Sequence, residues 1–318
     1  MKACDVAIVG IGAIGSLIAY ALNLQGIKPL LVFKDKDQVK SFVKSRYKLM
    51  LANDVEVVLE GHPVTYENLP ENIDVIFICT KAYDFNNALD STLSKLTSFR
   101  LIITCQNGLG SYEYAKKVVG SSKVASLVLN HGVYRVSTNT FKYVGGGISY
   151  LGQEGGRVND LLRDVASMLK FLNVKLVSDI TPYRWLKLLV NAGINPITAI
   201  LRERNEVILK NPYAKNLAFK AVKEGLILAN TLNIKLPEDP ISALIKVAQL
   251  TKDNYSSMLQ DLISKGKTEV DYINGAIVRK AREYGIDAKV NEVLYLMVKA
   301  LETSPSKSTN LKYSCNQL

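Results

Sequence analysis

A glycine-punctuated turn near the N-terminus constrains this chain more than any other feature. Gly10-Ile11-Gly12-Ala13-Ile14-Gly15 follows the apolar run Val6-Ala7-Ile8-Val9 and precedes Ser16-Leu17-Ile18-Ala19-Tyr20-Ala21-Leu22. The order is strand, turn, helix, the context in which a GxGxxG spacing carries meaning. Gly10 permits the tight turn, Gly12 lets backbone approach a pyrophosphate, and Gly15 lets helix and strand pack closely. The pyrophosphate rests on the free N–H groups of the helix start. A glycine turn can also simply join a strand to a helix, so it is the flanking elements that favour dinucleotide binding.

That fingerprint expects an acidic residue about 20 positions on, to hold a ribose 2′-hydroxyl. The next apolar run, Pro29-Leu30-Leu31-Val32-Phe33, ends instead in Lys34. A cation there suits a 2′-phosphate and hence NADPH. Asp35 follows at once and keeps NADH open, and the plain alternative is that Lys34, Lys36 and Lys40 are ordinary solvated charges.

Strand and helix signals alternate from Met1 to about Val177. Strands are expected at 4–9, 29–33, 74–79 and 100–105, with helices near 13–25, 36–45, 83–96 and 109–118. Further strands at 123–129, 141–144, 148–151 and 175–177 follow, with one helical face traced by Val158, Leu161, Leu162, Val165, Met168, Leu169 and Leu172. This alternation predicts an α/β fold with a parallel, doubly wound sheet. Beyond Asp179 the strand signal disappears, and helices are expected near 182–201, 212–232, 240–250, 254–264, 268–284 and 288–302. Pro182, Pro212 and Pro240 stand at first turns, where a missing N–H costs least. Pro196 disfavours helical geometry at Asn195 and predicts a kink there. Two domains of unlike class follow, 1–179 and 180–318, with a frayed tail from Thr303.

Composition removes several alternatives. No apolar run is long and clean enough to span a bilayer, and the N-terminus reads as a strand rather than a signal peptide, so a cytoplasmic location is expected. Cys4, Cys79, Cys105 and Cys315 lack metal-like spacing, and His62 and His131 are the only histidines, so no metal site is expected. The net charge of +11 is spread along the chain without a dense basic tract, which argues for attraction of an anionic cofactor and acid rather than nucleic acid. Oligomeric state is left open, a homodimer included.

The residues with chemistry lie at three places. Lys187, Asn191 and Asn195 fall four apart in WLKLLVNAGINPITA, so they line one slowly drifting helical stripe amid apolar neighbours. Buried polar groups there need a partner, although a solvated face with incidental asparagines fits the spacing equally well. Lys81 and Asn107 follow the runs Val75–Thr80 and Leu101–Gln106, at the carboxyl ends of strands, where open α/β sheets place their ligands. The third place comprises Asn254-Tyr255-Ser256-Ser257-Met258-Leu259-Gln260-Asp261 and Thr268-Glu269-Val270-Asp271. Thr268 is expected to open a helix as the cap of a capping box closed by Asp271, leaving Glu269 to face a cleft. Glu269 and Ser257 also read plausibly as helix-start residues without a ligand.

GIGAIG at 10–15, CTKAYD at 79–84, QNGLG at 106–110, KLLVNAGINPITA at 187–199, NYSSMLQD at 254–261 and TEVDYINGAIV at 268–278 together resemble the ketopantoate reductase (2-dehydropantoate 2-reductase) family. The motifs keep the family's order over nearly the whole chain. The resemblance implies a Rossmann-like N-terminal domain binding NADPH and a helical, 6-phosphogluconate dehydrogenase-like C-terminal domain, reducing a small 2-keto acid. It implies Lys187 as proton donor and Glu269 as a second catalytic residue; Lys187, Asn191, Asn195, Asn205, Asn254 and Ser257 as substrate contacts; and Gly10 to Gly15, Lys34, Lys81, Asn107 and Glu269 by the cofactor. Backbone near Val133 is also implied to approach the cofactor.

The chemistry is consistent with those roles. Hydride addition to a 2-keto acid builds negative charge on oxygen, which a nearby ammonium stabilises and then protonates. Asparagines bind hydroxyl and carboxylate groups without adding charge. Two rivals remain: a related two-domain hydroxyacid dehydrogenase with another substrate, and a non-catalytic NADP-binding sensor. The second leaves Lys187, Asn191 and Asn195 without a function.

Overall fold

The computed structural model describes residues 6–304, so Cys4, Cys315 and most of the tail expected to fray lie outside the described residues. The chain divides into two compact units. One comprises the residues up to Gln106 together with Gly110–Thr181, the other Asn107–Leu109 together with the residues from Pro182 on.

The first unit runs β1 (Val6–Val9), α1 (Ala13–Asn23), β2 (Leu30–Phe33), α2 (Lys36–Ser45), β3 (Lys48–Met50), β4 (Glu56–Val58), β5 (His62–Thr65), β6 (Asn72–Ile78), α3 (Phe85–Leu93) and β7 (Ser98–Thr104). It continues through α4 (Ser111–Val119), β8 (Val124–Val128), β9 (His131–Arg135), β10 (Thr140–Gly146), β11 (Ser149–Gly152), α5 (Asp160–Met168) and β12 (Val174–Leu176). Eight strands form the main sheet in the order β12-β11-β8-β7-β6-β1-β2-β5. From β5 to β8 all pairings are parallel, and β11 adds antiparallel to β8. The chain builds β2 and β5 on one side of β1 and then resumes with β6 on the other. That reversal is a topological switch point, where sheets of this kind bind ligands beyond the strand ends.

β1, with its sequence VAIV, is buried at every position, as a central parallel strand covered on both faces must be. The smaller sheet, β4-β3-β10-β9, was not anticipated from sequence beyond the β10 run. It packs on α1, which also touches β1. Leu17, Ile18, Phe42, Leu49, Phe77 and Phe141 therefore belong to one continuous core. β5 carries Pro63 at the sheet edge, where a missing N–H is tolerated.

The second unit is helical: α6 (Thr181–Leu201, with Thr181 grouping in the first unit), α7 (Val207–Lys210), α8 (Pro212–Thr231), α9 (Pro240–Leu250), α10 (Ser257–Lys265), α11 (Asn274–Glu283) and α12 (Lys289–Thr303). Pro212 and Pro240 do occupy first-turn positions, behind the caps Asn211 and Asp239. α6 lies so close to its neighbours that a Cβ on Gly193 would fall 2.4 Å from a Leu244 methyl and 3.2 Å from the Ala218 carbonyl oxygen.

α6 continues as one helix through Pro196, the site of the expected kink. Proline has no N–H to give the carbonyl four residues earlier, here that of Ala192. The Nδ2 of Asn274 donates to that oxygen at 3.1 Å, and the orphaned acceptor is satisfied. Two expected helices are shorter than foreseen. The one near 254–264 begins only at Ser257, behind the cap Ser256, and the one near 268–284 is a single 3-10 turn, Val270–Tyr272, followed by α11. Among the described residues no helix is long and apolar enough to cross a membrane.

A Cβ on Gly15 would lie 2.2 Å from the carbonyl oxygen of Gly10, backbone that cannot swing aside. Gly15→Ala should therefore cost about 1–3 kcal/mol through overpacking, despite alanine's better helix propensity. A thermal melt checks this, and an unchanged midpoint would mean that the turn relaxes freely.

Candidate functional site

In the first unit the glycine turn divides its work as the spacing implied. Gly10 takes φ +90°, a left-handed conformation favouring glycine, and a Cβ there would strike Thr80. Gly12 is the opposite case: a Cβ would meet nothing within 4 Å, so its backbone faces open space. Gly12 is also the residue before α1, whose first turn has no side-chain cap and no acidic residue. The helix start thus presents unclaimed N–H groups and the positive end of its dipole, a cradle that fits a pyrophosphate. Ile11 is buried beneath the turn, while Ala13 and Ile14 are half-buried.

At the end of β2, Lys34 is exposed. Asp35 has a structural task, because its carboxylate accepts the Gln38 N–H at 2.8 Å and caps α2. Lys81 is half-buried and precedes the turn Ala82–Asp84. Gln106, unremarked in the sequence, binds the ends of neighbouring strands together: its Nε2 donates to the carbonyls of Ile78 at 2.8 Å and Thr80 at 2.9 Å. Its signal in the sequence was its place at the head of QNGLG, beside Asn107.

Val133 sits on β9 opposite Tyr143 and packs its side chain on the first core. Its neighbour His131 is held by the Tyr143 hydroxyl and the Leu172 carbonyl, both at 3.0 Å. Both contacts fix the His131 ring against the strand pair that carries Val133. No cluster of potential metal ligands exists among the described residues.

In the second unit the α6 stripe ends inside the core. Lys187 and Asn191 are half-buried, and Asn195 is 5% exposed. At the far end of the stripe the Thr198 hydroxyl donates to Ser256 Oγ at 2.7 Å, and Ser256 Oγ accepts the Leu259 N–H as the cap of α10. With Ser256 capping, Ser257 is left exposed on the first turn of α10. Asn254, half-buried, accepts the Asn205 N–H on its backbone carbonyl at 2.9 Å. Asn205 is buried, and its Nδ2 donates to Thr251 Oγ1 at 2.9 Å, so the expected substrate contact also stitches two loops together.

Glu269 is buried, and Asn107 Nδ2 lies 3.5 Å from its Oε2, so two residues 162 apart in sequence meet within this unit. The predicted capping box at Thr268 does not form. Thr268 gives both its N–H and its hydroxyl to Glu302 Oε1, at 2.7 Å each. Asp271 instead accepts from Tyr295 at 2.9 Å and Lys299 at 3.0 Å. Thr268 Oγ1 still accepts the Val270 N–H at 3.2 Å, but Asp271, the other member of the box, is drawn away to α12. Burial opposes the Lys299 charge, but hydrogen bonds to Glu302 and Asp271 outweigh it and hold its pKa above the ordinary lysine value. The turn carrying Glu269 is thereby tied to α12 by a partly buried ionic cluster.

The family described as "Ketopantoate reductase PanE/ApbA" matches residues 6–156, and its "C terminal" counterpart matches residues 179–302. The chain belongs to the ketopantoate reductase family. The 2-dehydropantoate 2-reductase of Pyrobaculum aerophilum is 34% identical over 298 residues, covering 93% of this chain and 97% of the relative. Among solved structures, a PanE/ApbA family ketopantoate reductase from Ralstonia eutropha JMP134 superposes with a TM-score of 0.84 at 21% identity, covering 95% and 98% of the two chains. D-mandelate dehydrogenase, solved in complex with NADH, superposes with a TM-score of 0.79 at 25% identity, covering 95% and 99%. The ketopantoate reductase family is one of nicotinamide-dependent oxidoreductases, and the open Gly12 backbone fits such a cofactor.

Cys79 lies two residues before Lys81, close enough for its reactivity to matter there. Burial, then the hydrogen bond and charge interaction with Cys105, push the Cys79 thiol well above its usual range. Since the thiolate is the nucleophile, Cys79 should resist alkylation by iodoacetamide at pH 7–8 in the folded protein and react once denaturant is added. Rapid labelling of the native chain, mapped to Cys79 by mass spectrometry, would contradict this.

Proposed function

We propose that this chain is a cytoplasmic 2-dehydropantoate 2-reductase, reducing 2-dehydropantoate to pantoate with NADPH on the way to pantothenate and coenzyme A. The observation that carries the reading is the α6 stripe: one half-buried lysine followed by two carboxamides of increasing burial, in a helix that is mostly apolar from Trp185 on. An acid with a keto oxygen and a hydroxyl suits one cationic proton donor beside neutral hydrogen-bonding groups. The 34% identity to a relative of that name supports the same substrate.

Residues 1–179 form the nucleotide-binding domain in this reading and residues 180–318 the substrate domain, with Asn107 contributed to the latter. NADPH, when bound, supplies the hydride that is added to the keto carbon. The Gly10–Gly15 turn and the start of α1 hold its pyrophosphate, Lys34 its 2′-phosphate, and Lys81, Asn107 and Glu269 serve the cofactor side. Lys187 hydrogen-bonds the keto oxygen, stabilises the negative charge that develops there and donates the proton that completes the alcohol. Asn191, Asn195 and Asn254 orient the substrate's oxygens. The exposed Ser257 hydroxyl, at the positive end of α10, takes the carboxylate.

The likeness to D-mandelate dehydrogenase favours one second reading, reduction of a different 2-keto acid with NADH. Initial rates for 2-dehydropantoate and phenylglyoxylate, each with NADPH and NADH, separate the two. A preference for phenylglyoxylate would overturn the proposed substrate, and cofactor binding without any turnover would leave the sensor.

Lys34→Ala tests the cofactor. A charged hydrogen bond contributes roughly 1.5–3 kcal/mol, so NADPH affinity should fall by at least about tenfold while NADH affinity barely changes. Equal losses would remove Lys34 from the 2′-phosphate site.

Lys187→Ala tests the donor. It should fold and bind NADPH, yet lose about 10²–10⁴ in kcat, together with the basic limb of the pH profile that reports deprotonation of this lysine. Arginine should rescue poorly, because it keeps the charge but does not readily release a proton. Near-native kcat with an unchanged basic limb would transfer the role to Lys81.

A further inference from the structure

Asn274 is the first residue of α11 and has no exposed surface. Its Nδ2 makes two hydrogen bonds, to the Ala192 carbonyl at 3.1 Å and to Asn291 Oδ1 at 3.0 Å. Asn291, equally buried, directs its own Nδ2 to the Ala221 carbonyl at 2.9 Å and to Glu224 Oε2 at 2.8 Å. Glu224 also accepts the N–H groups of Val290 and Asn291, at 2.8 and 2.9 Å. The direction of the chain is determined throughout. Asn291 gives its N–H groups to α8, so it presents oxygen to Asn274, and Asn274 must present nitrogen. The Asn274 Oδ1 is left without a partner among the described residues. A buried, unsatisfied amide oxygen is destabilising, so an apolar residue would fill this position better were packing its whole purpose.

The Ala192 carbonyl is the one acceptor in α6 that Pro196 deprives of its helical donor. It lies between Asn191 and Asn195, where the stripe passes from half-buried to buried. Asn274 follows Glu269 by five residues and sits directly beyond the turn that Glu269 precedes. We infer that Asn274 is a positioning residue: by replacing the hydrogen bond that Pro196 removes, it holds Asn191 and Asn195 in helical register with Lys187 and fixes that stripe relative to Glu269. The role rests on the reading of the stripe as the substrate-binding surface. Pro196 and Asn274 then form a matched pair. The proline opens one backbone position in the helix, and the carboxamide of another helix closes it while carrying the Glu269 turn with it.

The matched pair has a direct test, because alanine at 196 restores a backbone N–H to the Ala192 carbonyl. Asn274→Ala is compared in chains carrying Pro196 and Pro196→Ala, by melting temperature, NADPH affinity and kcat, with kinetics measured well below the lowest melt. Loss of the Asn291 bond is common to both backgrounds and cancels in the cycle. In the Pro196 chain, Asn274→Ala should lower the melting temperature and reduce kcat at least tenfold, by more than it weakens NADPH binding. In the Pro196→Ala chain both losses should shrink, the kcat loss to within threefold. Failure of Asn274→Ala to fold with Pro196, cured by Pro196→Ala, supports the pairing equally, and the double variant's kcat then decides the positioning role. Equal losses in both backgrounds, including failure to fold in both, would overturn the inference. Coupling in melting temperature without coupling in kcat would reduce the bond to packing and overturn the positioning role. Turnover is read on whichever 2-keto acid the wild-type chain reduces, so failure of 2-dehydropantoate as substrate would count against the proposed function alone.

Discussion

The helical unit depends on how α6 stays a helix while carrying polar groups into an apolar core. From Leu188 onward nearly every position is buried, so the helix has no solvent to satisfy a stray backbone group. Pro196 creates such a group at Ala192, and a side chain from α11 answers it. The arrangement draws in α8 and α12 through Asn291 and Glu224. Four helices are therefore registered to one another around a single carbonyl, and the Lys187 stripe inherits that registration. Apolar packing alone would leave α6 freer to slide or rotate, since dispersion and burial are weakly directional.

A different economy governs the first unit. There the close approach of two stretches of backbone, Gly15 over Gly10, brings α1 against the end of β1 and leaves Gly12 clear. Specific side chains contribute little to that part of the site. What the unit presents is unpaired N–H and dipole, fixed by the hydrogen-bonded strands on either side. The helical unit is built in the opposite manner, with polar side chains set along α6 and its backbone groups satisfied internally.

The parts of this organisation legible in the sequence were those written in short range. VAIV, the glycine turn and the apolar helix after it predict one another within a few residues, and the stripe on α6 follows from spacing alone. The β4-β3-β10-β9 sheet was not legible, because β3 and β4 are three residues each and mix charge with apolar side chains. Thr268 and Asp271 show the more general limit. Their local pattern reads as a capping box, but Tyr295 and Lys299, 24 and 28 residues further on, hold Asp271, and Glu302 holds Thr268. Likewise Asn205 announced a polar contact but not that Thr251 would take part of it. Tertiary partners of equal chemistry outcompete local ones, and spacing cannot reveal that.

The short segment Asn107–Leu109 bears on modularity. It leaves a strand of the first unit's sheet and spends three residues as part of the helical unit. Leu109 packs against that unit's core and donates its N–H to the Tyr272 carbonyl at 2.9 Å. Gly108, at φ +84°, passes so close to the same carbonyl that a Cβ would sit 2.1 Å from it. The helical half is consequently not a transplantable cassette. A fragment cut at the obvious boundary near residue 181 would lack a piece of its own interior, and recombination between relatives at that boundary would have to keep QNGLG matched to a turn more than 150 residues downstream.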